Sequence, residues 1–319
     1  MDEVERMFSL KEVPWHGNAT ILESPPTTEE AIRCAGLDWE VVLVKLGGEL
    51  DGVPLTDVGS WATVRKSDRR VLGTVGPTYR PLQNVDAFKF FQPALDAGEA
   101  YLETAGSLRG GRRVWVLARI KQDPVEIVPG DAVLNYILLS NGHDGSMAVR
   151  TGFSSIRVVC ANTLAAAHEA GASKLLRVRH TENAAETLQK VREIMDLGRR
   201  EFVASTEKMR LLARKGVNTE DLKEYVRKVF APKVTMLDQE EQENKCERLM
   251  GKIIPLFEKG RGNDLPGVKG TMWGAYNAVS EYLGWERGRD DIRLDSLWFG
   301  DGANVNKKAF DLALKVAVG

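Results

Sequence analysis

Two runs of alternating residues joined by Arg109-Gly110-Gly111 constrain this chain more than any other feature. Ala100 to Leu108 and Arg112 to Lys121 both read with period two, the repeat of a strand whose side chains point to opposite faces. Gly110 and Gly111 supply the positive φ angles that a tight hairpin turn needs. Two further strands are predicted, Val133 to Ser140 and Met147 to Val159, with a bulge at Gly152. The turn between them, Asn141-Gly142-His143-Asp144-Gly145-Ser146, carries the favourable Asn-Gly and Asp-Gly pairs. Consecutive strands with short turns predict an antiparallel meander.

The flanks are read by their own periods. Residues 1–60 read as irregular structure around one helix, which opens after Pro25-Pro26 with a Thr cap and Glu29 and Glu30 in its first turn, and stops at Gly36. Trp39 to Leu46 fits a short strand, and Trp61 to Lys66 with Arg70 to Val75 fits a hairpin turning at Ser67-Asp68-Arg69. Gln83 to Ala97 reads as a helix capped by Asn84, with Val85, Phe88, Phe91 and Leu95 on one face and a kink at Pro93. Beyond the meander come a helix over 161–170 and a fifth strand over 174–180. Helices then follow from Thr181 to Lys215, from Asn218 or Thr219 to Phe230, from Asp238 to Leu256, from Trp273 to Leu283, and from about Asn304 onward. The fold class is therefore α+β: an antiparallel β-meander with flanking helices, followed by a helical C-terminal region. Three segments are expected: 1–60, acidic; 61–180, the basic antiparallel sheet domain; and 181–319, helical.

Charge distinguishes those segments. The net charge is only −1, yet residues 1–60 hold 4 basic and 12 acidic side chains and residues 61–121 hold 11 basic and 5 acidic. A basic block inside a neutral protein has two readings: the acidic segment folds over it and neutralises it, or it forms a groove for a polyanion, most simply nucleic acid. The candidate residues lie in two places. The turn of the first hairpin holds Arg65, Lys66, Arg69 and Arg70, with Tyr79 and Arg80 soon after. In the second hairpin, alternation sends Val114, Val116, Ala118 and Ile120 to one face and Arg113, Trp115, Leu117 and Arg119 to the other, with Arg109 and Arg112 at the turn. Arginine neutralises phosphates and an indole stacks on any base, so this second face is expected to meet a nucleic-acid strand if it is open, and to be core if it is packed. Arg150 and Arg157 either share that groove or pair with acids of the first segment.

Other chemistry finds little support. No G-x-x-x-x-G-K-[ST] or G-x-G-x-x-G run offers a phosphate cradle, so no cofactor is assigned. His143, Asp144 and Ser146 share one turn, whereas triad members converge from separate elements. Cys160 facing His168 reads as a buried structural cysteine, and Asp290, Asp291 and Asp295 as a salt-bridged surface interleaved with arginines. Trp15-His16-Gly17 reads as a packed turn. The scattered histidines and three distant cysteines give neither a metal site nor a disulfide framework, and a reducing cytoplasm is the expected location. No apolar run reaches the ~18 residues of a membrane span, and the acidic start does not read as a secretory signal.

Several segments carry a resemblance over most of the chain. They are Val13-Pro14-Trp15-His16-Gly17, Ala35-Gly36-Leu37-Asp38-Trp39, Val75-Gly76-Pro77-Thr78-Tyr79-Arg80-Pro81-Leu82-Gln83-Asn84 and Glu103 to Trp115. Ser140-Asn141-Gly142-His143-Asp144-Gly145-Ser146, Arg157 to Leu164 and Gly270-Thr271-Met272-Trp273-Gly274-Ala275-Tyr276-Asn277 complete the set. Together they resemble the phage/plasmid-like protein family catalogued as domain of unknown function 932. The resemblance implies a gene carried by a mobile element and supplies no catalytic residues. In architecture alone, a helix, a meander with a basic hairpin and a following helix are similar to single-strand annealing proteins of the Redβ and RecT type, an analogy at the level of fold.

The expected function is a mobile-element protein that binds single-stranded nucleic acid, with annealing in recombination or replication as its role, and that works as a homo-oligomer away from membranes. The alternatives are an accessory protein that binds or inhibits a host protein, and an enzyme whose site does not show in the sequence.

Overall fold

The computed structural model describes residues 4–11, 19–56, 58–147, 149–157, 162–164, 184–231, 239–288 and 293–319. In chain order the strands and helices of the first half are β1 (Val4–Leu10), β2 (Ala19–Leu22), α1 (Thr28–Cys34), β3 (Val41–Lys45), β4 (Gly48–Leu50), β5 (Val53–Leu55), β6 (Trp61–Arg65), β7 (Arg70–Val75), α2 (Asn84–Lys89), α3 (Gln92–Asp96), β8 (Ala100–Leu108), β9 (Arg113–Ile120), β10 (Val125–Val128), β11 (Asp131–Gly142), β12 (Arg150–Arg157) and β13 (Asn162–Leu164). The second half is helical: α4 (Ala184–Arg214), α5 (Thr219–Phe230), α6 (Gln239–Lys259), α7 (Met272–Glu281) running into a π-helical turn Tyr282–Glu286, α8 (Arg293–Phe299) and α9 (Asp301–Val318). The fold is α+β, with antiparallel strands followed by a helical region, as the sequence patterns predict. The chain forms two compact units, and β11 and β12 each begin in one and end in the other.

In the first unit the strands are ordered β2-β1-β8-β9-β11. All these neighbours are antiparallel except β1 and β2, which run parallel. The first sixty residues thus supply sheet strands rather than irregular structure, because Val4, Met7, Phe8 and Leu10 are buried on the two faces of β1 when it pairs with β8. A separate antiparallel sheet has the order β3-β6-β7, and β4 pairs with β5 alone. The expected helix 83–97 divides at Phe90 and Phe91. Proline has no N–H for the carbonyl four residues back and clashes with it, so a second helix starts with Pro93 in its first turn, where no donor is needed. Asn84 is not the cap: Gln83 holds that position, and Asn84 lies buried inside the first turn.

In the second unit β10 pairs with the start of β11, and β12 pairs with β13. Part of the helix expected over 161–170 is therefore a strand: Ser155, Ile156 and Arg157 face Leu164, Thr163 and Asn162. Pairing to a neighbouring strand has outweighed local helix propensity there. The rest of that helix and the strand expected over 174–180 lie outside the described residues. α5 opens with a capping box, in which Asn218 accepts from the Asp221 N–H and Asp221 accepts from the Asn218 N–H. The final helix, expected from about Asn304, is α9 and begins at Asp301, and a further short helix, α8, precedes it before Gly300. The core is built from α4, α5, α6, α7 and α9, with Trp273, Tyr276 and Phe310 at most 1% exposed. Tyr276 meets Phe310 edge to face at 5.1 Å.

That core encloses a charge pair. Arg157 and Asp131 are both 0% exposed, and their two contacts are Nε to Oδ1 at 2.6 Å and Nη2 to Oδ2 at 2.9 Å. The remaining guanidinium hydrogens go to the Arg261 and Gly262 carbonyls and to Asn263 Oδ1. Trp273 Nε1 donates to Asp131 Oδ2 at 2.7 Å. Arg157 is therefore buried rather than open to a groove, and it pairs with the first residue of β11. Full hydrogen bonding is what makes a buried pair tolerable, since ionised groups without it cost several kcal/mol each. Arg150 is exposed at the other end of β12.

Gly106 offers a direct check on the sheet of the first unit. A methyl group there would sit 2.5 Å from Trp115 Cη2, 2.6 Å from Met7 Cβ and 2.7 Å from the Arg6 carbonyl oxygen. Two of these neighbours are backbone or Cβ atoms that cannot swing away. Gly106→Ala is expected to destabilise the protein by about 1–3 kcal/mol in urea unfolding, the usual cost of overpacking. An unchanged midpoint would disprove the close approach of β1, β8 and β9.

Candidate functional site

The two basic hairpins meet. At the end of β6, Arg65 is 6% exposed and gripped by two carboxylates. Its Nη1 and Nη2 contact Glu5 Oε2 and Oε1 at 2.8 and 2.9 Å. Its Nε and Nη2 contact Asp68 Oδ1 and Oδ2 at 2.9 and 2.6 Å. The guanidinium also lies 5.3 Å from the centre of the Trp39 ring. These hydrogen bonds from Arg65 pull the Asp68 carboxyl down to about 2, and those to Glu5 and Asp68 raise the arginine further above its ordinary range. Arg70 reaches the same Glu5 at 3.2 Å, and Lys66 pairs with Glu40 at 2.7 Å.

Glu5 can serve both arginines because of a bulge. β1 and β8 register as Val4 with Leu108 and Arg6 with Ser107, which leaves Glu5 as the extra residue. A bulge re-aims its side chain, here toward the first hairpin. The turn of the second hairpin closes on the same place. A Cβ on Gly110 would lie 2.7 Å from Arg70 Nη1, and one on Gly111 would lie 3.1 Å from Arg65 Nη1 and 3.3 Å from Trp39 Cζ2. Both glycines have φ near +66° and +86°, and that backbone conformation favours glycine at each.

One end of the first unit therefore gathers Arg65, Lys66, Arg69, Arg70, Arg109 and Arg112, with Arg113 at the base of the second turn opposite Leu108 and Gly142. Lys66, Arg69, Arg109 and Arg112 are exposed. The described carboxylates among them are Glu5, Asp68 and Glu40, so among the described residues the cations outnumber the acids. The acidic first segment does neutralise part of the basic block, through Glu5 and Glu40.

Two candidates lie elsewhere. Arg80 follows β7 at the end far from Arg70, and its Nη1 donates to the Pro77 and Tyr79 carbonyls. Arg119 sits at the far end of β9 between Tyr101 and Tyr136 in register, 5.7 Å from the Tyr101 ring centre. Trp115 corrects the expectation of an open face. It is 1% exposed, and Leu117 on the same row is 4% exposed, so both faces of β9 are packed and the indole is core. Arg65 likewise is an internal anchor rather than a free turn cation.

A second cluster in this unit is uncharged. His143 is 0% exposed. Asn84 Nδ2 donates to the Leu37 carbonyl, which leaves its Oδ1 to accept from His143 Nε2 at 2.9 Å and so places the imidazole proton there. The Trp39 ring meets the imidazole edge to face at 5.4 Å. Thr63 donates to the His143 carbonyl at 2.7 Å and Tyr79 to that of Gly142 at 3.1 Å. Gln83 holds β3 by both atoms of its amide, accepting from the Val41 N–H and donating to the Val41 carbonyl. Asp144 Oδ1 accepts from the Ser146 N–H and hydroxyl, which makes the segment the turn that its sequence predicts and not a triad. Sequence reasoning missed Glu5 and Trp39 as site residues. The signal available was their place in the acidic first segment, whose pairing with the basic block was one of its two readings. Cys160, His168, Asp290, Asp291 and the Trp15-His16-Gly17 turn lie outside the described residues; Asp295 is buried, at 2% exposure, rather than on a solvated surface.

The family model for a domain of unknown function (DUF932) matches residues 71–298, more than half of the chain. The chain belongs to that family. No curated protein and no solved structure matches it. The DUF932 match spans β7 to α8 and so takes in Tyr79, Gln83, Asn84 and His143 of the uncharged cluster and the Arg157–Asp131 pair, while Glu5, Trp39, Thr63 and Arg65 precede it.

Burial lowers the His143 imidazole from 6.5 to about 4. The unfolded chain therefore takes up a proton first, and the contribution of this group is fully present above pH 6.5 and declines as pH falls toward about 4. The loss should approach ~3 kcal/mol at 1.36 kcal/mol per unit. Urea unfolding across that window should show the decline, and His143→Gln should flatten it. A flat profile for the unsubstituted protein would contradict a neutral, buried imidazole.

Proposed function

We propose that this protein binds nucleic acid through its phosphates, at the end of the first unit where the two basic turns converge. The observation that carries the reading is that convergence: Lys66, Arg69, Arg109 and Arg112 are exposed around a guanidinium pair already anchored by Glu5. Anchoring matters because it fixes the position of the turns that carry the outer cations. Trp115 has no part in binding, so recognition is by charge and independent of base sequence. The resemblance to phage and plasmid proteins favours a role on single strands during recombination or replication of a mobile element.

Backbone conformation adds support. Arg69 and Arg109, one in each turn, have φ of 60° and 52°, a left-handed region that glycine or asparagine enters at less cost. Strained residues of this kind persist where the side chain has a use. Arg69→Gly and Arg109→Gly are expected to hold or raise the melting temperature while weakening binding, a combination that a purely structural arginine would not give.

Fluorescence anisotropy with single-stranded DNA, duplex DNA and RNA at about 50 and about 200 mM salt tests the proposal. Binding should weaken steeply with salt, and removal of Arg69, Arg109 and Arg112 together should reduce the single-strand salt slope by about 2, at ~0.7 per phosphate contact. Trp115→Ala is expected to lower stability by about 3–5 kcal/mol without a change of slope in the folded fraction. Absence of binding at the lower salt, or an unaltered slope in the triple variant, would overturn it.

A further inference from the structure

The loop after α6 sets an exposed cation on an aromatic ring. Arg261 lies there, its side chain 46% exposed. Its guanidinium carbon is 3.6 Å from the centre of the Trp285 ring, the contact distance of stacked planes. Trp285 belongs to the π-helical turn that follows α7, where the Arg287 N–H donates to the Tyr282 carbonyl at 2.8 Å. Turns of this kind are rare and recur at functional sites. Buried groups hold both backbone atoms of Arg261: its N–H donates to Glu281 Oε2 at 3.1 Å, and its carbonyl accepts from Arg157 Nη1 at 3.0 Å. The backbone is thus fixed while the guanidinium stays open to solvent.

Glu281 gives the place an opposite character. Its side chain is only 8% exposed. Oε2 takes the Arg261 N–H, but Oε1 accepts no hydrogen bond among the described residues. Arg261 Nε stands 3.9 Å from it, beyond hydrogen-bonding range. Burial raises the carboxyl above its ordinary value, as expected of a charge that its surroundings meet incompletely. A buried acceptor left unfilled is costly and calls for a donor.

We infer that Arg261, Trp285 and Glu281 form a site for an unpaired nucleobase, which stacks on the outer face of the Arg261 guanidinium and donates an edge N–H to Glu281 Oε1. The charges select the class. The guanidinium repels a cationic ligand and the carboxylate repels an anionic one, so the group held between them is neutral. A planar cation backed by an indole favours a planar π-system, and Oε1 beside it calls for an N–H at the edge of that ring. Each nucleic-acid base is neutral and planar and carries an N–H on its Watson–Crick edge, so one acceptor oxygen serves them all with little preference. In a duplex those edges are paired and the ring faces stacked, which restricts the site to unpaired bases. The inference does not rest on the phosphate reading, because this site lies in the second unit and takes the base rather than the backbone.

Saturation-transfer NMR with adenosine, cytidine, guanosine and uridine tests it, since nucleosides carry no phosphate for the basic turns to hold. Binding at about 1–10 mM is expected, the strength of one stacked ring and one hydrogen bond. Arg261→Lys keeps the charge and removes the plane, and should weaken binding about tenfold. Glu281→Gln leaves an oxygen for the Arg261 N–H but puts an amide NH2 in place of Oε1, and should weaken it similarly. Arg261→Lys is at an exposed position and should leave the melting temperature unchanged, so the test stands even if Glu281→Gln fails to fold. The variant lacking Arg69, Arg109 and Arg112 should bind nucleosides undiminished. A single strand and an abasic strand of equal length separate the two sources of a base. If Arg261→Lys weakens the base-bearing strand alone, the site takes bases within a strand; if it weakens nucleosides and neither strand, the site takes free nucleosides. No transfer to any nucleoside at about 10 mM, equal transfer in Arg261→Lys, or loss of transfer in the triple variant would overturn the inference. Absence of strand binding at low salt would count against the phosphate site and leave the nucleoside result to decide this one.

Discussion

Arg65 is the residue on which the first unit turns. A guanidinium withdrawn from water must have its hydrogen bonds filled, and no single element of this fold can fill them. Asp68 comes from its own hairpin, Glu5 from a bulge in the first strand, and the Trp39 face from the segment after α1. Once those groups are in place the Arg109–Arg112 turn has a fixed floor, and two glycines take the left-handed backbone where it touches that floor. The exposed cations stand on this assembly. Their placement is a by-product of satisfying one half-hidden charge.

The second unit uses the same principle further from solvent. Arg157 and Asp131 sit in complete burial, with three further acceptors and one indole donor completing the set. Isolated, such a pair is poor evidence of stability, because apolar replacements often do as well. Its value is geometric. It links β11, β12, the loop after α6 and the start of α7, and each partner has a direction as well as a charge. The His143 cluster does this with neutral groups in the first unit, where amide, imidazole and carbonyl each accept one role. The family match covers His143, Asn84 and the Arg157–Asp131 pair and leaves out Glu5 and Arg65.

Much of the architecture is legible from local pattern. Alternation located β8, β9 and β11, and the Asn218 cap, the helix spans and the Gly-Gly turn all follow from residue chemistry that acts within a few positions. What the sequence hides is decided at long range. Period two places Trp115 opposite Val114, but it is silent on whether a face is covered, and here both are. Arg65 looks like a turn cation until Glu5 arrives from sixty residues away. Residues 4–10 look irregular because two of the seven residues of β1 are an adjacent charged pair, Glu5 and Arg6, at its bulge. Asn162–Leu164 reads as helix until β12 offers it a ladder. For the site, the sequence marks both basic turns, and only tertiary structure brings them together while separating Arg80 and Arg119 from them.

The position of β1 has a consequence for synthesis. It lies inside the sheet between β2 and β8, yet its partners on one side are Thr104 to Leu108, about a hundred residues later in the chain. At ~5–20 residues per second, the ribosome delivers those partners some 5–20 s after β1 has emerged. Throughout that interval Val4, Met7 and Phe8 lack the strand that covers them in the folded unit, and Glu5 waits for arginines not yet made. The charges around it, which make up the acidic first segment, keep such a nascent strand apart from its copies on neighbouring ribosomes.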